Sequence, residues 1–219
     1  MKKSLLWLAV WGVAFGYLEA AVVVYLRELY YPEGFRFPAV MIADRIMLTE
    51  LLREAATLLI MWATVCLAYK NLQSRIAAFI ILFGVWDIFY YIFLKLLLNW
   101  PESINTWDIL FLIPAPWLGP VWAPILVSLG FIYTGTAILI RNYQNNFLHF
   151  NKNMILLEFF SILLIIASFI IPGSAMLEQI LPGHFPWYLF LAGFIIGMGT
   201  FFYSFYTSPF KIKNREKIQ

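Results

Sequence analysis

Six long runs of apolar residues make up most of the chain, with short polar connections between them. They extend over Leu5 to Tyr30, Ile46 to Tyr69, Ile76 to Leu98, Val121 to Ile140, Met154 to Ile171 and Trp187 to Tyr206. Each run is close to the roughly 20 residues that a helix needs to cross the bilayer core, and none shows the alternation of a barrel strand. The pattern predicts an all-α, polytopic membrane bundle of six helices, forming a single integral-membrane domain over residues 1–219.

The composition agrees with this architecture. Of the 219 residues, 63% are hydrophobic and 12% are charged, and the mean hydropathy is +0.80. A soluble domain carries roughly 25% charged residues, so a water-soluble fold is excluded. The first apolar run continues beyond Glu19 to Leu26, which is too long for the core of a secretory signal, and we expect it to remain as the first span.

The basic residues predict the orientation of the bundle. Ten of them fall on the side of the N-terminus and four on the other side, the four being Arg27, Arg36, Arg45 and Lys95. By the positive-inside rule, both termini are expected in the cytoplasm, with the bundle in the plasma (inner) membrane. The formal net charge of +3 is then a topology signal that indicates membrane lipids, and not nucleic acid, as partners. The basic tail Lys211 to Gln219 is expected to lie near anionic headgroups.

The second outer connection has an unusual sequence. Residues 107–113 are apolar but far too short to cross a membrane, and Asn105 stands where a helix N-cap would, with Asp108 three residues later. Pro114, Pro116 and Pro120 would stop a helix there. We therefore predict a re-entrant or interfacial half-helix before the fourth span. Irregular backbone at membrane depth is tolerated only against protein or a water-filled cavity, so the segment implies one or the other.

Acidic residues occur inside the apolar runs. Glu19, Glu50, Glu54 and Asp87 lie in the first three spans, where a charge costs at least about 2.5 kcal/mol. With a rise of about 1.5 Å per residue, Glu19, Glu54 and Asp87 all come near mid-membrane or slightly above it. Such residues are usually paired, solvated in a cavity or functional, so this is the expected location of the site.

Helical spacing groups these residues with other polar ones. Glu50, Arg53 and Glu54 share one side of the second helix, while Asp87, Tyr91 and Lys95 follow an i, i+4, i+8 stripe on the third. We expect the polar stripes of the first three helices to face a common volume that opens outward.

The resulting hypothesis is a multi-pass membrane protein with an outward-facing polar pocket. Acid and base chemistry on, or binding of, a lipidic or amphiphilic small molecule is the predicted function. The predicted catalytic residues are Glu19, Glu54 and Asp87, and the predicted substrate-binding residues are Glu50, Arg53, Trp86, Tyr91 and Lys95. The chain contains no H-E-x-x-H, G-x-S-x-G or Asp-rich motif. No known catalytic motif therefore identifies a particular reaction, and a hydrolytic triad is not expected.

Two alternatives remain open. In a charge-balanced structural network, the three bases could neutralise three acids, Arg53 with Glu54, Lys95 with Asp87 and Arg27 with Glu19. Such a chain could be a non-catalytic subunit of a membrane complex, with a homo-oligomer or another membrane protein as partner. Alternatively, the acids could carry protons in a proton-coupled transporter. The inner half of the bundle offers only Glu158 to continue such a path.

The sequence indicates no cofactor. His149 and His184 are expected at opposite faces of the membrane, so they cannot share a haem. Carboxylate oxygens can hold Mg²⁺ or Ca²⁺, but Arg53 lies within one turn of both Glu50 and Glu54 and would repel such an ion. No metal site is therefore predicted.

Overall fold

In the part of the chain that the structure describes, six helices long and apolar enough to cross a membrane are present at the predicted positions. The structure, a computed structural model, describes residues 2–40, 43–178, 180 and 182–209, so the basic tail at 211–219 lies outside the described residues. The long helices are α1 (Lys2–Tyr30), α2 (Asp44–Ala68), α3 (Leu72–Leu98), α4 (Trp122–Tyr143), α5 (Lys152–Ile170) and α7 (Trp187–Thr207). A 3-10 turn (Ile171–Gly173) and the one-turn helix α6 (Ser174–Leu177) extend α5. The six predicted spans are thus confirmed as helices.

Asparagine side chains define several helix ends. Asn71 accepts a hydrogen bond from the Ser74 N–H at the start of α3 (2.8 Å), and Asn151 accepts one from the Met154 N–H at the start of α5 (3.0 Å). These caps satisfy amide groups that have no partner within the helix. Asn99 ends α3 in the left-handed conformation, which asparagine tolerates better than most residues (φ 52°).

Helix α3 is the central element, because α1, α2 and α4 all pack against it, while α5 packs mainly against α7. Small residues allow the closest approaches. A Cβ atom at Gly16 would lie 2.9 Å from the Trp86 carbonyl oxygen of α3, and one at Gly84 would lie 2.6 Å from the Ser128 carbonyl oxygen of α4. Without these side chains the backbones of neighbouring helices approach closely, as is common in membrane bundles.

The predicted half-helix is wrong, because the segment forms a β-hairpin. Strand β1 (Trp107–Phe111) pairs antiparallel with β2 (Trp117–Pro120), with Trp107 opposite Pro120 and an irregularity between Ile109 and Phe111. The pairing satisfies backbone groups of residues 107–111 across the hairpin, which local helical signals could not reveal. The prolines at 114 and 116 lie in the connection between the strands.

The hairpin is packed against the end of α5. The Trp117 ring stacks on Phe169 with their centroids 6.0 Å apart, and Leu118 is completely buried. Gly173 in the 3-10 turn also lies against the Pro116 carbonyl. The hairpin therefore closes one end of the bundle, on the side where α1 ends and α2 begins.

The contact between α3 and α4 predicts an effect of Gly84→Ala. The added methyl group would meet the Ser128 carbonyl, so we expect the free energy of unfolding in a fixed lipid or detergent to fall by about 1–3 kcal/mol. Gly199→Ala in α7 is the matched control, because nothing lies within 4 Å of its added Cβ and a helical alanine is favoured over glycine. Equal stability of the two variants would contradict this packing.

Candidate functional site

A partly open cavity lies between the end of α1, the start of α2, the hairpin and α6. Its volume is about 140 Å³. Its apolar lining includes Val23, Leu26, Val40, Met47, Ile109, Leu112 and Met176; its aromatic lining is Tyr30, Tyr31 and Phe35; and its charged lining is Arg27, Glu50, Glu54 and Asp108. We call this space the α1–α2 cavity. It combines apolar walls with ionisable groups, as ligand pockets commonly do.

Arg53 connects α1 to α2 beside this cavity. Its guanidinium forms an ion pair with Glu19 of α1. Its Nε donates to Oε2 of Glu50 at 2.8 Å, and its Nη2 lies 2.7 Å from the same oxygen. The three side chains are 9–24% exposed. Removing one partner of an ion pair that is mostly shielded from water leaves an uncompensated charge and is costly. The Glu19–Arg53 pair thus joins two helices that both pack on α3.

Glu54 connects α2 to the hairpin. Both of its carboxylate oxygens accept from the backbone N–H of Leu112, at 2.9 and 3.1 Å. Leu112 follows β1, where the hairpin begins to turn, and its amide has left the strand ladder. Glu54 is thus held by a neutral donor, while Arg53 on the same helix bonds to other carboxylates.

Arg27 and Asp108 form a second buried ion pair at the other side of the cavity. Arg27 Nη2 donates to Asp108 Oδ1 at 3.1 Å, and the Tyr91 hydroxyl donates to Oδ2 at 3.2 Å. The guanidinium carbon lies 3.7 Å from the centroid of Trp100 and 4.4 Å from that of Phe35. Burial raises the pKa of Asp108 to about 6, although Arg27 and the Tyr91 hydrogen bond oppose the rise. The pair fixes β1 onto α1 and α3.

The structure separates three predicted site residues from the cavity. Asp87 accepts a hydrogen bond from Ser128 of α4 at 2.8 Å, and the buried Trp86 ring packs edge-on against Phe83. Lys95 is exposed and donates to the carbonyl oxygens of Asn99 and Pro101. The expectation that Lys95 shares an inward-facing stripe with Asp87 and Tyr91 is therefore wrong. Eight helical residues turn the side chain by about 80° beyond two full turns, which carries Lys95 off that face.

The remaining predicted residues come together, but with different partners from those expected. Glu50 and Glu54 line the cavity, whereas Glu19 and Arg53 form the ion pair beside it. Tyr91 does not line the cavity, but its hydroxyl donates to Asp108, which does. Arg53 pairs with Glu19 and Glu50 and not, as the neutralised-network alternative expected, with Glu54.

Sequence reasoning did not include Asp108 in the site, and it considered Arg27 only as a possible counter-charge in the structural alternative. Asp108 was assigned to a loop half-helix and Arg27 to the outer edge of the first span. The available signal was a lone aspartate inside the apolar segment at residues 107–113, since a buried carboxylate needs a cationic or hydrogen-bonding partner. Which side chain pairs with Asp108 depends on the position of the hairpin against α1 and α3.

No protein-family model, curated protein or solved structure matches this chain. Among the described residues, no group of three or more histidine, cysteine, aspartate or glutamate side chains is placed to hold a metal ion. His149 precedes α5 and His184 follows it, so the two histidines lie towards opposite ends of that helix. The site therefore has to be interpreted from its own geometry.

Removal of the Arg27 charge tests the buried ion pair. Arg27→Met leaves Asp108 buried without its cation, and we expect the free energy of unfolding at pH 7.5 to fall by about 3–5 kcal/mol. The double variant Arg27→Met with Asp108→Asn should recover much of this loss. The control is Arg36→Met, which breaks an ion pair with Glu33 that is almost fully exposed, and it should cost less than about 1 kcal/mol. A small effect of Arg27→Met alone would contradict the assignment.

The pKa of Asp108 predicts a pH dependence. Because the folded pKa is about 6 and the ordinary value is 3.8, the folded state holds the proton more tightly between these values. The contribution of Asp108 to stability is then fully present below about pH 4 and is lost as the pH rises to about 6. Thermal unfolding of the wild type and of Asp108→Asn between pH 4 and 8 measures it. The stability of the wild type relative to the variant should fall with pH up to about 6 and then level off; a rise over that interval would exclude the shift.

Proposed function

We propose that this chain is a multi-pass protein of the plasma membrane that binds an amphiphilic small molecule in the α1–α2 cavity, where Glu54 exchanges a proton with the ligand. The observation that carries the proposal is the cavity itself, in which an apolar wall meets three carboxylates and a guanidinium. The reaction class is acid and base chemistry, or binding coupled to proton exchange.

The orientation of the bundle supports access from the outer face. Six of the described basic residues lie toward the end that carries the N-terminus, namely Lys2, Lys3, Lys70, Arg75, Arg141 and Lys152. The cavity lies at the other end, where α1 ends and α2 begins. With both termini in the cytoplasm, the cavity faces outward. Its position between helices near one end of the bundle suits a molecule that is partly in lipid and partly in water.

Several properties favour Glu54 as the proton-exchanging group. It lines the cavity, it is 7% exposed, and among the described residues its only hydrogen-bond donor is the Leu112 amide. A general acid or base must lie within hydrogen-bond reach of its substrate, and a carboxylate that accepts from one N–H retains further acceptor positions. Glu19 acts through Arg53 as a positioning residue. Asp87, which is bonded to Ser128, has no role in this proposal.

A purely structural network is the second candidate, and a specific observation favours it. Glu19, Glu54 and Asp108 are each bonded to a group on another element of the fold, and Glu50 is bonded to Arg53 of its own helix. In that case the carboxylates would serve to hold α1, α2 and the hairpin together, and the cavity would be a packing gap.

A matched pair of tryptophan variants tests the binding proposal. The chain in nanodiscs of zwitterionic lipid is titrated with three eight-carbon probes, octylammonium, octanol and octanoate, and thermal unfolding is followed. Leu26→Trp fills the cavity, whereas Leu29→Trp in the same helix changes a side chain that is 75% exposed. At least one probe should raise the unfolding temperature saturably in the wild type and in Leu29→Trp but not in Leu26→Trp, because ligands stabilise the state that binds them. No saturable effect, or the same effect in Leu26→Trp, would contradict binding in the cavity.

Replacement of Glu54 by glutamine separates the two candidate functions. The amide oxygen of the introduced glutamine can still accept from the Leu112 amide. The free energy of unfolding of Glu54→Gln should therefore differ from that of the wild type by less than about 1 kcal/mol. Proton exchange on probe binding, measured by calorimetry in buffers of different ionisation enthalpy, should be present in the wild type and in the exposed control Glu28→Gln but absent in Glu54→Gln. A structural network predicts instead that the wild type exchanges no protons with any probe.

A further inference from the structure

The charged lining of the α1–α2 cavity is unequal in sign. Three carboxylates, Glu50, Glu54 and Asp108, face a single guanidinium, that of Arg27. When the adjoining pair of Glu19 and Arg53 is included, the count is four acids to two bases. If all of these groups are ionised, an excess of two negative charges surrounds a small space with mostly apolar walls.

The basic side chains near the cavity are paired with carboxylates. Arg27 donates to Asp108 through Nη2 and lies against the rings of Trp100 and Phe35, while its buried Nη1 has no hydrogen-bond partner among the described residues. Arg53 is bonded to Glu19 and Glu50. Lys95, which the sequence predicted as a substrate-binding residue, is exposed and donates to backbone carbonyls. An anionic head such as a phosphate or carboxylate would therefore meet three carboxylates and one guanidinium, whose charge is already shared with Asp108.

The acidic side chains, in contrast, have unused acceptor capacity. Oε2 of Glu50 makes both contacts with Arg53, a hydrogen bond from Nε and an ion-pair contact with Nη2, and no contact of Oε1 is seen among the described residues. Glu54 accepts from one N–H with both oxygens, whereas a carboxylate can accept about four hydrogen bonds. Both residues are only 7% exposed, so bulk water does not fill these positions freely. The cavity thus has acceptors and negative charge that a ligand could satisfy.

A positively charged ligand with N–H donors supplies what this lining lacks. Buried charge without compensation is costly in an apolar environment, and a cation placed between Glu50 and Glu54 would reduce that cost. Tyr30 and Tyr31 also line the cavity, and aromatic faces attract cations. A bare metal ion fits less well, because no group of three or more suitable side chains in the described structure is placed to hold one.

We infer that the α1–α2 cavity takes the ammonium head of a cationic amphiphile, with its N–H groups donating to Glu50 and Glu54 and its hydrocarbon chain against Val23, Leu26 and Met47. The inference rests on the proposed function and specifies its ligand class. Ligands with anionic heads are rejected by the excess of carboxylates.

The three eight-carbon probes test the preference for an ammonium head separately from the proposal that the cavity binds amphiphiles. They share one chain length and differ in the charge of the head, and the cavity-filled Leu26→Trp variant measures binding to the membrane and the rest of the surface. We expect octylammonium to bind at least about tenfold more tightly than octanol or octanoate, since hydrogen bonds to charged groups are stronger than neutral ones. Glu54→Gln should weaken octylammonium about tenfold and octanol only slightly, and Glu28→Gln should leave both affinities unchanged.

The possible outcomes distinguish a failure of the ammonium inference from a failure of the proposed function. If octanol or octanoate binds the wild type as tightly as octylammonium, and Leu26→Trp abolishes that binding, the cavity binds amphiphiles but the ammonium inference is wrong. If no probe binds in a way that Leu26→Trp abolishes, the proposed function itself fails. The ranking of the three probes in the wild type needs no variant of Glu54, so the inference stays testable if Glu54→Gln does not fold.

Discussion

The site depends on one constraint, which is that a charge inside an apolar bundle must find a partner. Arg53 meets it by binding Glu19 of α1 and Glu50 of α2 together. Both helices pack on α3, and this ion pair connects them to each other as well. Arg27 with Asp108, and Glu54 with the Leu112 amide, then attach the hairpin to α1 and α2. The α1–α2 cavity lies among these three contacts.

The same constraint explains why the cavity is a better candidate for function than an ordinary packing gap. If the acids served structure alone, an equal number of bases would be the simplest arrangement, since uncompensated buried charge is costly. Here Arg53 stands near Glu19, Glu50 and Glu54, and an oxygen of Glu50 has no partner among the described residues. The excess of negative charge is therefore a feature of the site that a proton or a cationic ligand can compensate.

The sequence predicted those parts of the fold that depend on local pattern. The six helices follow from hydropathy alone, and the buried face of α2 with Glu50, Glu54 and Thr57 follows from helical spacing. The hairpin could not be predicted in the same way, because its strands are stabilised by each other and by the end of α5. Asp108 pairs with Arg27, which lies 81 positions earlier in the chain, and local sequence patterns do not predict a contact over that separation.

The partners within the site were harder to predict than its members. Glu19, Glu50, Arg53 and Glu54 were all identified from their positions in apolar runs, but which carboxylate receives the guanidinium depends on how α1 and α2 are rotated. Asp87 illustrates the same point, since it lies on the central helix and is directed to Ser128 of α4. Helix rotation is set by packing, as at Gly16 and Gly84, and not by the spacing of charges.

The most direct test of the central claim is an experimental structure of the full chain in lipid with octylammonium present. The account predicts density for the ammonium group within hydrogen-bonding distance of Glu50 and Glu54, with the Arg53 bridge to Glu19 retained. An α1–α2 cavity that stays closed or empty at saturating octylammonium, with Glu50 and Glu54 bonded to other protein groups, would contradict it.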